Sequence, residues 1–275
     1  MSGISRRAAL SASALLVTAG LALAGCSSAP SGSDAPESLG SISVGATATP
    51  AGEILQHLID SGQAADAGLD IQIQLYSDYT TPNQALSDGT NDANLFQHEP
   101  FLDTYNEEAG DDLVSVGQVY LPPLALYSKS VDDLDDLPDG ATIAVPNDAS
   151  NESRSLLLLA ASGLIETTDA PTTIADITAN PHDYEFSEID AASLPQALDE
   201  KDAAIVNFNF ASAAGLSSDL QLLSEGEDSQ YYNILATRAD LEDDPRVTAL
   251  YALLTSDETK QWILDQYDGL VIPAA

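Results

Sequence analysis

The sequence predicts an α/β protein built as two Rossmann-like lobes joined by a hinge. Three observations carry this prediction. Between Ser41 and His98, alternating apolar stretches and short amphipathic helices follow one another as β-α-β-α-β, the pattern of an open parallel sheet with short loops. The same pattern restarts at Ala141. Two stretches read as passages between lobes: the apolar Leu121–Tyr127, with adjacent Pro122 and Pro123, and Tyr231–Thr237. On this division lobe 1 takes residues 39–124 and 234–275, and lobe 2 takes residues 125–233.

Each element has its own signal. Residues 41–46 alternate and give the first strand, followed by a small-residue turn. Ile54, Leu55, Leu58 and Ile59 fall on one face and predict a helix over 50–59. Ile71, Ile73 and Leu75 alternate in a second strand, and Thr81-Pro82-Asn83 opens a short helix over 83–86. The third strand carries Ala93 and Leu95, turns polar at Gln97-His98 and gives way to a helix start at Pro100. Residues 113–119 form a further strand. In the second lobe a strand over 141–145 leads through a polar loop into a leucine-rich helix over 152–161, stopped by Gly163. Strands over 184–189 and 203–210 flank a short helix over 194–198, and helices over 245–254 and 256–267 complete the first lobe.

The beginning of the chain reads as a targeting segment. Arg6-Arg7 precede an alanine-rich apolar run from Ala8 to Ala24, and Leu23-Ala24-Gly25 lead into Cys26. The run is too short and wrongly flanked for a membrane span. Residues 1–25 are therefore expected to be a lipoprotein signal peptide, with Cys26 the acylated (palmitate-bearing) residue. Ser5-Arg6-Arg7 matches a twin-arginine signal only in part. Residues 26–38, rich in Ser, Pro, Gly and Asp, read as a flexible tether. The mature protein is expected at the extracytoplasmic face of the cell membrane, held by lipid. Cys26 is the single cysteine, so no internal disulfide is available, and a buried free thiol is the other reading of it.

Acids outnumber bases by 44 to 8, for a formal net charge of −36. Such a surface repels phosphate backbones, which argues against nucleic-acid binding. Beyond the targeting segment only Lys129, Arg154, Lys201, Arg238, Arg246 and Lys260 are cationic, so a cation inside a motif stands out.

Two corners carry candidate chemistry. Phe96, Gln97, His98 and Phe101 fall at the carboxyl end of a predicted strand, where ligands sit in open α/β sheets. The second corner is Asn147–Leu159, where a helix beginning near Asn151 would present free backbone N–H groups to an anion. Arg154 lies in that first turn. Its fork suits a ligand carboxylate; the alternative is an ion pair with Glu152 or Asp148. Asn207 and Asn209, two apart on a predicted strand, would share a face and offer amides to a ligand, or cap a turn. Asn233 sits in an apolar strand and needs a partner, either a ligand ammonium or a backbone group.

These motifs together resemble the NlpA family of methionine-binding lipoproteins, the capture component of a methionine ABC importer. The resemblance rests on Tyr76-Ser-Asp-Tyr79, Thr81-Pro-Asn-Gln-Ala-Leu86, Asp92-Ala-Asn-Leu-Phe-Gln-His98 with Pro100, Tyr127-Ser-Lys129, Leu137-Pro-Asp-Gly140, Pro146-Asn-Asp148, Asn151-Glu152 with Arg154 and Leu156–Leu159, and Tyr232-Asn233-Ile234. It spans residues 40–270. It implies a type II periplasmic-binding-protein fold closing over methionine, L or D, and delivery to a permease and its ATPase, with no cofactor and a monomeric protein. Arg154 would hold the α-carboxylate, Asn207 and Asn233 the polar end, and Tyr79, Phe96, His98 and Phe101 the thioether. With Asn151 and Asn209 these form the candidate ligand-binding set. Two departures stand out: Phe101 where the family commonly has Tyr, and Phe208 in place of a smaller residue between the asparagines.

Rival readings remain. His98-Glu99 invites comparison with the HExxH zinc helix, but position 102 is Leu and Pro100 interrupts the turn. With three histidines and no GxSxG motif, catalysis and a metal site are not expected. Binding of another small amino acid or short peptide, or a surface interaction role without transport, are the alternatives to methionine capture.

Overall fold

The computed structural model describes residues 38–275; the predicted signal peptide, Cys26 and most of the tether lie outside them. The chain runs β1 (Gly40–Thr47), α1 (Glu53–Asp60), the short α2 (Gln63–Asp66), β2 (Leu69–Tyr76), α3 (Thr81–Ser87), β3 (Ala93–His98), α4 (Glu99–Ala109) and β4 (Val114–Leu121). It continues through β5 (Leu124–Tyr127), β6 (Thr142–Pro146), α5 (Ala149–Ala161), β7 (Glu166–Thr167), β8 (Ile177–Ala179) and β9 (Glu185–Ile189). It ends with α6 (Leu194–Ala197), β10 (Ala203–Asn207), α7 (Phe208–Ala213), β11 (Gln221–Ser224), β12 (Asn233–Thr237), α8 (Pro245–Leu254), α9 (Asp257–Gln266) and β13 (Ile272–Pro273).

Two main sheets organise these elements. One has the order β13-β4-β12-β3-β1-β2, the other β11-β5-β10-β6-β9, and β7 and β8 pair separately. The predicted parallel core is present: β1 pairs in parallel with β2 and β3, and β6 with β9 and β10. Both sheets are mixed, because β12 runs antiparallel to β3 and β4, and β5 antiparallel to β10 and β11. The reason is connectivity: a strand that enters a sheet directly from the other one, with no crossover helix, arrives in the opposite direction.

That connectivity corrects one expectation. Leu121–Tyr127 is not a free crossover. β4 takes Leu121, β5 takes Leu124–Tyr127, and only Pro122-Pro123 pass between sheets. The return runs through residues 225–232, between β11 and β12. A second correction concerns β10, which ends at Asn207 instead of reaching Phe210. Val-Asn-Phe-Asn-Phe alternates like a strand, but the small residues Ala211, Ser212 and Ala213 that follow suit a helix, and Asn207 is its extended N-cap residue. A third is the start of α5 at Ala149, capped by Asp148, two residues before Asn151.

The cores follow the expected faces. Ile42, Val44 and Ala46 of β1 are buried together with Ile54, Leu55 and Leu58 of α1. Leu156 and Leu159 of α5 are buried against Ile143, Val145 and Ile205, each stabilising by about 1.5–3 kcal/mol. β3 is buried along its whole length, polar residues included. Its Asn94 and Gln97 form a closed amide network with Asn83 of α3, at 2.7–3.1 Å, so none of these buried groups is left without a partner. Among the described residues no helix is long and apolar enough to cross a membrane.

Candidate functional site

The carboxyl ends of strands from both sheets converge on one narrow cavity. Its walls are Tyr79, Phe96, Gln97, His98, Phe101, Pro122, Asn151, Arg154, Asn207, Asn209 and Asn233. All nine candidate residues are therefore brought together, from positions 79 to 233.

On one side, β3 ends in Phe96 and His98, and the first turn of α4 supplies Phe101. The rings of Tyr79, Phe96 and Phe101 stand 5.7–5.9 Å apart in tilted or edge-to-face pairs, the spacing favoured by aromatic quadrupoles. Phe210 of α7 backs Tyr79 at 4.8 Å. The His98 ring accepts the Phe101 amide at its Nδ1, 3.2 Å away. That leaves Nε2–H to donate to Asn151 Oδ1 at 3.3 Å. Burial, reinforced by the charge of Arg154, depresses the His98 pKa to about 3, so the ring is neutral at ordinary pH.

On the other side, α5 presents Asn151 and Arg154. Asp148 accepts the Asn151 backbone N–H at 2.9 Å and its side-chain amide at 3.0 and 3.1 Å. The helix start thus caps itself with an acid, which corrects the expectation of free N–H groups there. Asn151 Oδ1 also accepts from Asn207 Nδ2 at 2.8 Å. Asn207 Oδ1 is buried with no partner, an acceptor that a ligand donor would satisfy. Asn209, in the first turn of α7, does not share a strand face with Asn207; it accepts the Tyr79 hydroxyl at 2.5 Å. Asn233 donates to the Phe96 carbonyl at 3.0 Å and the Tyr120 hydroxyl at 3.2 Å, so its amide serves the protein.

Arg154 departs most from expectation. It is 2 % exposed and pairs with neither Glu152 nor Asp148. Its Nε donates to Glu225 Oε1 at 2.8 Å, its Nη2 to Glu225 Oε2 and to the Pro122 carbonyl at 3.0 Å. The guanidinium lies over the Tyr231 ring at 4.7 Å, within cation–π range. Glu152 instead accepts the Ile174 N–H. Glu225, Pro122 and Tyr231 were invisible to sequence reasoning; the one signal was that a lone buried Arg requires an acid. Phe208 lies outside the cavity and packs on the first sheet's core against Tyr267. Among the described residues no group of three or more His, Cys, Asp or Glu could hold a metal.

Two α/β lobes with aromatics on one side of a cleft and a buried guanidinium on the other define a solute-binding protein of the type II periplasmic class. The chain matches the NlpA lipoprotein family model over residues 42–275 and belongs to that family. The D-methionine-binding lipoprotein MetQ of Salmonella typhi is 40% identical over 209 residues, covering 74% of this chain and 77% of that one. A nutrient binding protein from Burkholderia cenocepacia, solved bound to methionine, is 39% identical with a TM-score of 0.81, over 85% of this chain and 100% of that one. A crystal structure of the methionine binding protein MetQ gives a TM-score of 0.79 at 35% identity, over 85% and 98% of the two chains.

Proposed function

We propose that this protein captures methionine in the cleft between residues 39–124 with 234–275 and residues 125–233, and passes it as a monomer to an ABC permease and its ATPase. The observation that carries this is the pairing of wall chemistries. Three aromatic rings line a cavity whose other wall carries Arg154, with one guanidinium nitrogen free of protein hydrogen bonds among the described residues, and Asn207, with one unpartnered amide oxygen. A thioether packs well at ring edges, by about 0.3–1.5 kcal/mol per contact. Arg154 Nη1 makes no hydrogen bond among the described residues and suits the α-carboxylate. Asn207 Oδ1 suits the ammonium. Asn151 and His98 fix the surrounding amides, and Tyr79, Phe96 and Phe101 take the side chain. The names and the methionine-bound state of the similar proteins support the same reading.

Titration calorimetry tests it. Methionine, in each enantiomer, is expected to give saturable one-to-one heats, and alanine much weaker ones. Equal affinity for alanine would favour a general amino-acid site, and no heat with either would favour a surface role without transport.

The anchor belongs to the same proposal. Cys26, outside the described residues, would carry the lipid that holds the protein at the extracytoplasmic face. Cys26→Ser is expected to move it from the membrane fraction to the soluble one; retention in the membrane would remove the lipid from the account.

A further inference from the structure

We propose that Glu225 is a positioning residue that sets the charge selectivity of the cleft, making it a site for zwitterions and not for the matching anions. The inference rests on the amino-acid reading of the cleft.

Glu225 takes up two of the three guanidinium nitrogens of Arg154. Its Oε2 also accepts the Leu124 N–H at 2.9 Å. With Pro122 and Tyr231, these contacts fix the guanidinium in plane and direction. What they leave is Nη1, the one guanidinium nitrogen without a protein hydrogen-bond partner among the described residues and the one left for a ligand carboxylate.

Charge is the larger consequence. Arg154 and Glu225 side chains are 2 % and 8 % exposed, so each feels the other with little screening by water. Among the cavity's lining residues Arg154 alone carries a full charge, since His98 is neutral. Glu225 cancels that charge, and Asp148, which holds the Asn151 amide from behind, adds a further carboxylate nearby. A bare carboxylate would enter a site whose fixed charges already sum to zero or below. An amino acid brings its own positive end, and Asn207 Oδ1 is placed to accept from it.

The test compares methionine with its deaminated analogue, methylsulfanylbutanoate, by calorimetry. The wild-type protein is expected to prefer methionine by at least about 100-fold, the loss of one charge-assisted hydrogen bond plus an uncompensated anion. In Glu225→Gln that preference is expected to fall by at least about tenfold, because the guanidinium charge is freed for the anion. Glu225→Asp, which keeps the charge on a shorter stem, is expected to weaken both ligands while retaining the wild-type preference. An unchanged ratio in Glu225→Gln overturns the proposal, as does a ratio in Glu225→Asp that falls with it. The wild-type arm needs no variant: binding of the anion within about threefold of methionine also overturns it. Failure of the wild-type protein to bind methionine at all overturns the amino-acid reading instead.

Discussion

Phe101 stands at the edge of the aromatic wall, 5.7 Å from Tyr79, 5.8 Å from Phe96 and 6.2 Å from His98. It is half-buried and is the family departure that lies inside the cavity. Phe101→Tyr adds a hydroxyl without removing any of these contacts. Calorimetry is expected to show methionine affinity unchanged or tightened, and a loss beyond about tenfold, or roughly 1.4 kcal/mol, would mean that the pocket is shaped differently. At this scale the sequence was informative where a residue type is scarce. Arg154 stood out as one of few cations. Its partner could not be read, because Glu225 is one of 44 acids and lies 71 positions away. Asn207 and Asn209 both line the cavity, but not for the expected reason: they reach it from a strand end and a helix turn, not from one strand face.

Among the elements, α5 does the most. Its leucines anchor it in the second core while its first two turns hold Asn151 and Arg154 in the cavity. Asp148 joins these roles, as N-cap of the helix and as the clamp on the Asn151 amide. Asp148→Ala is expected to cost about 1 kcal/mol of stability, read as a melting temperature lower by about 2–4 °C for a chain of this size. It should weaken methionine binding as well, since Asn151 loses its orientation; full affinity would show that Asn151 needs no such clamp. Most elements were legible from periodicity, including α8 over 245–254. The misreadings fell in short segments of the second half-fold. There β5 looked like a linker and α7 like a strand, because short apolar runs carry no period long enough to decide.

For the whole molecule, the two passages Pro122-Pro123 and 225–232 meet at the Arg154–Glu225 pair, so the site and the hinge share one cluster. Buried titratable groups also tie folding to pH. His98 has a pKa of about 3 in the fold against an ordinary value of 6.5. Between those values the unfolded chain binds a proton that the folded chain refuses. Its contribution is therefore complete above pH 6.5 and is lost as pH falls toward 3, with a slope of up to about 1.4 kcal/mol per pH unit. Glu152 acts oppositely: burial first, then neighbouring Glu188, raises its pKa above 4.5, so its contribution is lost as pH rises through the folded value. Urea midpoints are expected to fall less steeply with acid in His98→Gln than in the wild-type protein. Parallel profiles would mean that His98 is protonated in the fold.

The central claim is that this cleft is a methionine site. Native mass spectrometry tests it most directly, on protein unfolded, stripped of bound small molecules, refolded, and then mixed with methionine. The account predicts one complex of one methionine per chain, and its loss in Arg154→Ala. A spectrum showing only the free protein at saturating methionine, or an undiminished complex with Arg154→Ala, would contradict it.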